Sequence, residues 1–262
     1  MGLFDNGAAW VKADFHLHTR ADHEFAYEDQ DRLYLTSYVQ ALAAAGLHVG
    51  VVSNHNKFAF QEFMQARSMA RKKDVFLLPG VELSVNNGPD GTHVIVVFPD
   101  SWLTGNLDLV SPFLSELFPG ETEDERQSDD ALCGQTLLQV VEGLDQTGHD
   151  YFLVFAHVED KNGLFAELGD ALADWQGPEY DQVRARTLGF QKVRSAAARD
   201  AAKQALGGWY PAEVEGSDPK NIQQIGQFEP PFNCYIKING YSYEAVKEAL
   251  ANPQECVKTG EA

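Results

Sequence analysis

Short apolar runs of strand length alternate with stretches of helical spacing along nearly the whole chain. Residues 11–15 read as a strand. Residues 33–45 follow as a helix, with Leu35, Tyr38, Val39 and Leu42 on one face and Gly46 as its stop. Residues 49–52 are largely β-branched and fit a buried strand, and 58–73 fit a helix. Strands over 75–83 and 92–98 flank a turn-forming stretch that runs from Asn86 to Gly91. A helix over 136–144 precedes a strand over 152–155. Strand 187–190 pairs with helix 193–206, and strand 212–215 with a short helix near Ile222. Strand 235–238 and helix 243–250 come last. Repeated β-then-α units imply a largely parallel sheet, either doubly wound or closed into a barrel. No Gly-rich GxGxxG or P-loop string follows the first strand, which counts against a nucleotide-binding sheet. The 262 residues suit one barrel domain, which typically takes about 250.

Two segments interrupt the alternation. Residues 101–130 include the acidic stretch 121–130 and are expected to form a long, partly mobile surface excursion. Residues 159–181 are polar and irregular, and they follow a histidine at a strand end. In a barrel such loops shape the substrate mouth.

Charge and cysteines narrow the partners. Twenty Lys and Arg face 39 Asp and Glu, a formal charge of −19. Such a surface opposes avid non-specific nucleic-acid binding, which neutralises phosphates with basic side chains. It permits a phosphate-bearing substrate where bound metal supplies the positive field. Cys133, Cys234 and Cys256 are odd in number, widely spaced and outside any CxxC pattern, so a reducing, cytoplasmic setting is expected. Residues 1–12 lack the layout of a signal peptide. The longest apolar runs, 94–98 and 151–156, are too short to span a bilayer, and no membrane partner is expected.

The eight histidines stand mostly at strand ends. His16 and His18 flank Leu17 directly after the first strand. Residues two apart in extended chain point the same way, so the pair presents two imidazoles to one point. His23 lies in the following loop, His55 ends the second strand, and Glu82 ends the third. His93 starts the next strand, His157 ends the strand over 152–155, and Asp218 follows the strand over 212–215. In a barrel these ends converge on one mouth, and such a set would bind more than one divalent metal, with Glu82 able to bridge two ions. His48 and His149 are assigned to ordinary polar positions. Asp218, in Gly-Ser-Asp-Pro, taken singly is a turn or cap residue.

The strings Asp14-Phe15-His16-Leu17-His18-Thr19, Val51-Val52-Ser53-Asn54-His55-Asn56, Pro79-Gly80-Val81-Glu82, Thr92-His93-Val94, Ala156-His157 and Gly216-Ser217-Asp218 resemble the ordered motifs of the PHP (polymerase and histidinol phosphatase) superfamily. The resemblance runs from about Trp10 to Gly226. It implies an α/β fold, a distorted (β/α)7 TIM-like barrel, with two or three metal ions and hydrolysis of phosphoesters. It also implies one metal on His16, His18, Glu82 and Asp218, a second on Glu82, His93 and His157, and His23 and His55 at a third. The tail over 234–258, a strand and then a helix, is similar to PHP domains placed ahead of an SMC-like ATPase, which makes such an ATPase an expected partner.

Two positions depart from the pattern. Asn54 stands where the family usually has Asp, and Lys220 where Asp-x-His would end. A protonated lysine cannot ligate, so two ions are expected to be well held and a third weak or absent. The ions are expected to be Zn, Mn or Fe, which His with carboxylate suits alike. Function is expected to be hydrolysis of a phosphomonoester or a nucleic-acid phosphodiester by metal-activated water, with Glu82 and Asp218 in the machinery. Arg20 and Lys57 are either phosphate clamps or ordinary surface bases, and Lys220 either a fixed charge against phosphate or a solvated lysine. The substrate is expected to be a phosphorylated small molecule or a nucleic-acid end. Two other readings compete: a non-catalytic metal-binding module that regulates an ATPase, and an amidohydrolase on a related barrel.

Overall fold

The computed structural model describes residues 2–27, 33–105, 107–128, 131–228 and 232–260. Asn106, Asp129 and Asp130 of the expected excursion lie outside the described residues. In chain order the elements are β1 (Ala9–Leu17), α1 (Tyr34–Ala44), β2 (Val49–Val52), α2 (Phe60–Arg71), β3 (Phe76–Val85), β4 (Thr92–Val97), α3 (Val110–Leu117), α4 (Leu137–Gln146) and β5 (Phe152–Phe155). There follow α5 (Leu164–Leu168), α6 (Asp181–Arg186), β6 (Thr187–Gln191), α7 (Ala196–Ala205), β7 (Ala212–Val214), β8 (Asn233–Ile238), α8 (Tyr243–Ala251), α9 (Pro253–Cys256) and β9 (Val257–Gly260).

The strands form one sheet in the order β7-β6-β5-β4-β3-β2-β1-β8-β9. Pairs β1–β2, β2–β3, β5–β6 and β6–β7 are parallel. Strand β4 is antiparallel to both β3 and β5, because the tight turn after Val85 returns the chain beside β3 without a crossover helix. After β7 the chain lies against β1, where Phe15 N donates to Glu215 O (3.0 Å) and Asp218 N to His16 O (2.9 Å). Those two bonds bring the sheet close to a complete barrel. The tail adds β8 antiparallel to β1, and β9 antiparallel to β8.

Two apolar layers hold this sheet. Leu42, Phe63, Leu77, Val96, Phe113 and Val140 belong to the layer between strands and helices. Val11, Val51, Leu78, Ile95, Val154 and Val214 face one another inside, joined by Tyr243, Val246 and Leu250 of α8. Helix termini are set locally: Thr136 and Gln139 form a reciprocal capping box at α4, and Ser195 and Ser242 cap α7 and α8.

The two interrupting segments are more structured than the sequence suggests. Within 101–128, α3 buries Val110, Phe113, Leu114 and Leu117, and Arg126 and Gln127 are also buried. Gln127 Nε2 donates to His55 O (3.1 Å), and Asn56 Nδ2 to Arg126 O (2.9 Å), so this excursion is fastened to the second strand's end rather than loose. Residues 164–186 hold α5, two segments of 3-10 helix and α6. No described helix is long and apolar enough to cross a membrane.

Candidate metal centre

Side-chain parity places the centre. Inward positions on β3 run Phe76, Leu78, Gly80, so Glu82 also points inward. Ile95 and Val97 put His93 on the inner face of β4, and Asp218, beyond the end of β7, is brought to the same mouth by its backbone bond to His16 O. On β1 the inner residues are Val11, Ala13 and Phe15, which alone would turn His16 outward. A bulge corrects this: the step from Asp14 to Leu17 opposes only Gly50 to Val52 on β2. Leu17 thereby joins the outer layer, and His16 and His18 face in. Because β4 runs antiparallel, its first residues lie at the same mouth as the ends of β3 and β5.

Glu82 is fully buried and meets five imidazoles. Its Oε2 lies 2.7 Å from His16 Nε2, 3.0 Å from His55 Nε2 and 3.5 Å from His18 Nε2. Its Oε1 lies 2.9 Å from His93 Nδ1 and 3.3 Å from His157 Nε2. Asp218 Oδ1 is 3.0 Å from His18 Nε2 and 3.9 Å from His16 Nε2. The structure thus assembles His16, His18 and Asp218 on one side, and Glu82, His93 and His157 on the other, each within a span that one ion could bridge.

A second layer orients these groups. Gln191, fully buried at the end of β6, donates from Nε2 to Gly216 O (3.2 Å) and sets Oε1 3.0 Å from His16 Nδ1. An amide oxygen accepts, so Gln191 would favour the proton on Nδ1 once an ion stands between Nε2 and Glu82, leaving Nε2 free to ligate it. Asp14 accepts from His16 N (3.1 Å), Ser217 N (3.0 Å) and Ser217 Oγ (2.5 Å), tying β1 to the segment that bears Asp218. Asn56, His157, Lys192 and Asp218 all have positive φ (47°, 27°, 57° and 48°), so backbone strain gathers at this mouth.

The electrostatics follow from burial and crowding. Burial pushes the Asp14 carboxyl up to about 6, against the lowering effect of its Ser217 and His16 bonds. Burial also lowers His16. For Glu82 burial acts upward, but His16, His55 and His93 outweigh it and hold the carboxyl well below its ordinary value. Asp218 is lowered in the same way by His16 and His18. The donors suit a divalent ion: ionised carboxylates stand beside imidazole nitrogens, Nε2 of buried His16 and His18 on one side and His157 Nε2 on the other. His18 Nδ1 lies 2.9 Å from Asp22 Oδ2 but out of hydrogen-bonding alignment.

The remaining expected residues are placed as follows. His23 is about one-third exposed, with Nδ1 3.6 Å from Asp22 Oδ1, and among the described residues it falls outside the candidate ion-holding groups. His55 instead joins Asp22 and Glu24, and separately His18 and Glu82. Asn54 braces the loop after β1, accepting from Thr19 N (2.8 Å) and donating to Thr19 Oγ1 (3.1 Å). Arg20 donates from Nε to Glu62 (2.8 Å) and lies over the Tyr34 ring, while Lys57 Nζ is 3.4 Å from Glu123. Both bases therefore engage carboxylates outside the cluster. Lys220 engages the cluster itself: Nζ donates to Asp218 Oδ1 (2.9 Å) and to Glu24. His48 sits at the start of β2, away from the mouth, and His149 packs near Trp102. Sequence reading missed Asp22, Glu24, Gln191 and Lys192, whose Nζ is 3.7 Å from Asp218 Oδ2. For Gln191 a signal existed, a polar residue ending an apolar strand; the loop acids Asp22 and Glu24 carried none beyond adjacency to His23.

No family model and no curated protein sequence matches the chain. Solved structures do. A two-domain protein from Bacteroides vulgatus, named for a PHP-like metal-dependent phosphoesterase, superposes with a TM-score of 0.57 at 17% identity, over 98% of this chain and 66% of its own. A protein from Bifidobacterium adolescentis, named as a metal-dependent phosphoesterase, gives 0.56 at 14% identity, over 91% of this chain and 95% of its own. The fold is the PHP fold. A Chromobacterium violaceum protein named as an amidohydrolase also shares it, with a TM-score of 0.53 at 15% identity, over 84% of this chain and 93% of its own. The PHP barrel here spans about two thirds of the Bacteroides chain.

Proposed function

We propose that the chain is a metal-dependent phosphoesterase working with two divalent ions, Zn, Mn or Fe. His16, His18, Glu82 and Asp218 would hold one, and Glu82, His93 and His157 the other. The observation that carries this reading is Glu82, whose two buried oxygens face imidazoles on opposite sides. Ions bound there would bring the pKa of water toward neutrality and offset charge on phosphoryl oxygens. The protein's part is to supply anionic Glu82 and Asp218, to keep His16 in one tautomer through Gln191, and to hold neutral imidazoles toward one point. Because the surface carries −19, the substrate we propose presents a terminal phosphate, as a small phosphomonoester or a nucleic-acid end, rather than a long backbone to track.

The test is hydrolysis by protein stripped with a chelator and reloaded with Mn or Zn, offered a chromogenic phosphomonoester, a phosphodiester and an amide. Turnover of a phosphoester and none of the amide is expected. Amide turnover alone would move the assignment to the amidohydrolases, a reading favoured by the name of the Chromobacterium neighbour. Two bound ions with no turnover on any substrate would favour a non-catalytic module beside an SMC-like ATPase.

A further inference from the structure

A third group of donors lies beside the two assigned above. The donor atoms of Asp22, Glu24 and His55 fall within 4.8 Å of one another, a span that an ion could bridge. His55 Nδ1 is 3.0 Å from Asp22 Oδ2, and Glu24 N donates to Asp22 Oδ1 (3.0 Å), so the corner is ordered. One fixed positive charge already reaches it. Lys220 Nζ donates to Glu24 Oε2, and the same ammonium donates to Asp218 Oδ1 at 2.9 Å. It therefore ties a carboxylate of this corner to a carboxylate of the neighbouring group. Its backbone is fixed at both ends, with Ala26 N donating to Lys220 O (2.7 Å) and Lys220 N to Gln224 Oε1 (2.7 Å).

We propose that the Lys220 ammonium, by holding Glu24, keeps a divalent ion out of the Asp22–Glu24–His55 corner and so limits this centre to two. An ammonium has three donors and no acceptor, so it satisfies carboxylates as a cation does but cannot ligate one. A dication at the corner would have to take Glu24 from Lys220 and then sit beside an unshielded like charge. The role is positional: Lys220 sets the number of ions, and through Asp218 it steadies one ligand of the first.

This inference rests on the two-ion reading above, and its test separates the two. Wild type, Lys220→Gln and Lys220→Arg would be stripped, equilibrated by dialysis against excess Mn, and counted by elemental analysis, with circular dichroism as the check on folding. Two Mn per chain are expected in wild type and Lys220→Arg, and three in Lys220→Gln. Lys220→Met, which removes the charge and adds no nitrogen or oxygen donor, is the second charge-removing variant should the glutamine fail to fold, and three ions are again expected. Three ions in wild type, or two in a folded charge-removing variant, would overturn the inference while leaving the phosphoesterase reading intact. Fewer than two in folded wild type would defeat the two-ion reading itself.

Discussion

Gly216 tests whether the mouth is built as tightly as the side-chain parity argument requires. A Cβ at this position would land on His16 Cβ, 2.5 Å from Gln191 Nε2 and 2.9 Å from His16 N. Two of those atoms are fixed by β1, so the clash cannot be relieved by turning a side chain. Normal carbon contacts begin at about 3.5 Å, so β1 and the segment after β7 must part by roughly 1 Å. Overpacking of this kind costs about 1–3 kcal/mol. For a domain of this size that is a fall of roughly 2–12 °C in Tm. The same movement pulls His16 off Gln191 and Glu82, so affinity for the first ion should drop about 10–100-fold, as when an orienting partner is lost. Gly134→Ala is the control, because its Cβ would meet nothing within 4 Å and its φ is not positive. Thermal melts and Mn titrations on the two variants provide the assay. Gly216→Ala with the wild-type Tm and unchanged Mn affinity would refute the close approach of the two segments.

Further outcomes follow from the second layer and from charge. Gln191→Leu removes the acceptor at His16 Nδ1, and metal affinity should fall about 10–100-fold, measured by competition with a chromogenic chelator. Asp14, raised to about 6 from an ordinary 3.8, binds its proton more tightly folded than unfolded, so stability falls as pH rises through that window. The ionised carboxylate costs about 3 kcal/mol above pH 6. Asp14→Asn can still accept from His16 N and Ser217 N and can donate to Ser217 Oγ, so in chelator the variant should melt higher than wild type at pH 8, with the gap closing below pH 4. Chelator should also lower the wild-type Tm, and excess Mn should restore it, because ions that bind only the folded state stabilise it by mass action.

The sequence made the centre legible wherever a ligand continues a strand. Glu82 and His93 extend inner-facing alternations of Leu78 and Ile95, and periodicity alone aims them at one mouth. His16 and His18 were legible as a pair, but the bulge that turns them inward depends on pairing with β2 and has no local signal. Asp22 and Glu24 sit in a loop whose path is set by tertiary bonds, such as His55 N donating to Asp22 Oδ2 (2.7 Å), so pattern could not find them. The antiparallel course of β4 was implicit in the turn after Val85. Helix α3 was hidden by the acidic residues that follow it, although Val110, Phe113, Leu114 and Leu117 share one buried face at helical spacing. Lys220 was read as a departure from a motif; only its bonds to Glu24 and Asp218 give it a place.

The most direct test of the central claim is the metal content of the purified, reloaded protein, paired with phosphoester hydrolysis on the same sample, for wild type and Glu82→Ala. Glu82 faces both groups of imidazoles, so its loss should empty both positions together. The account expects about two ions per chain with turnover in wild type, and loss of most metal and all turnover in a folded Glu82→Ala. A folded Glu82→Ala that keeps two ions and full turnover would contradict it.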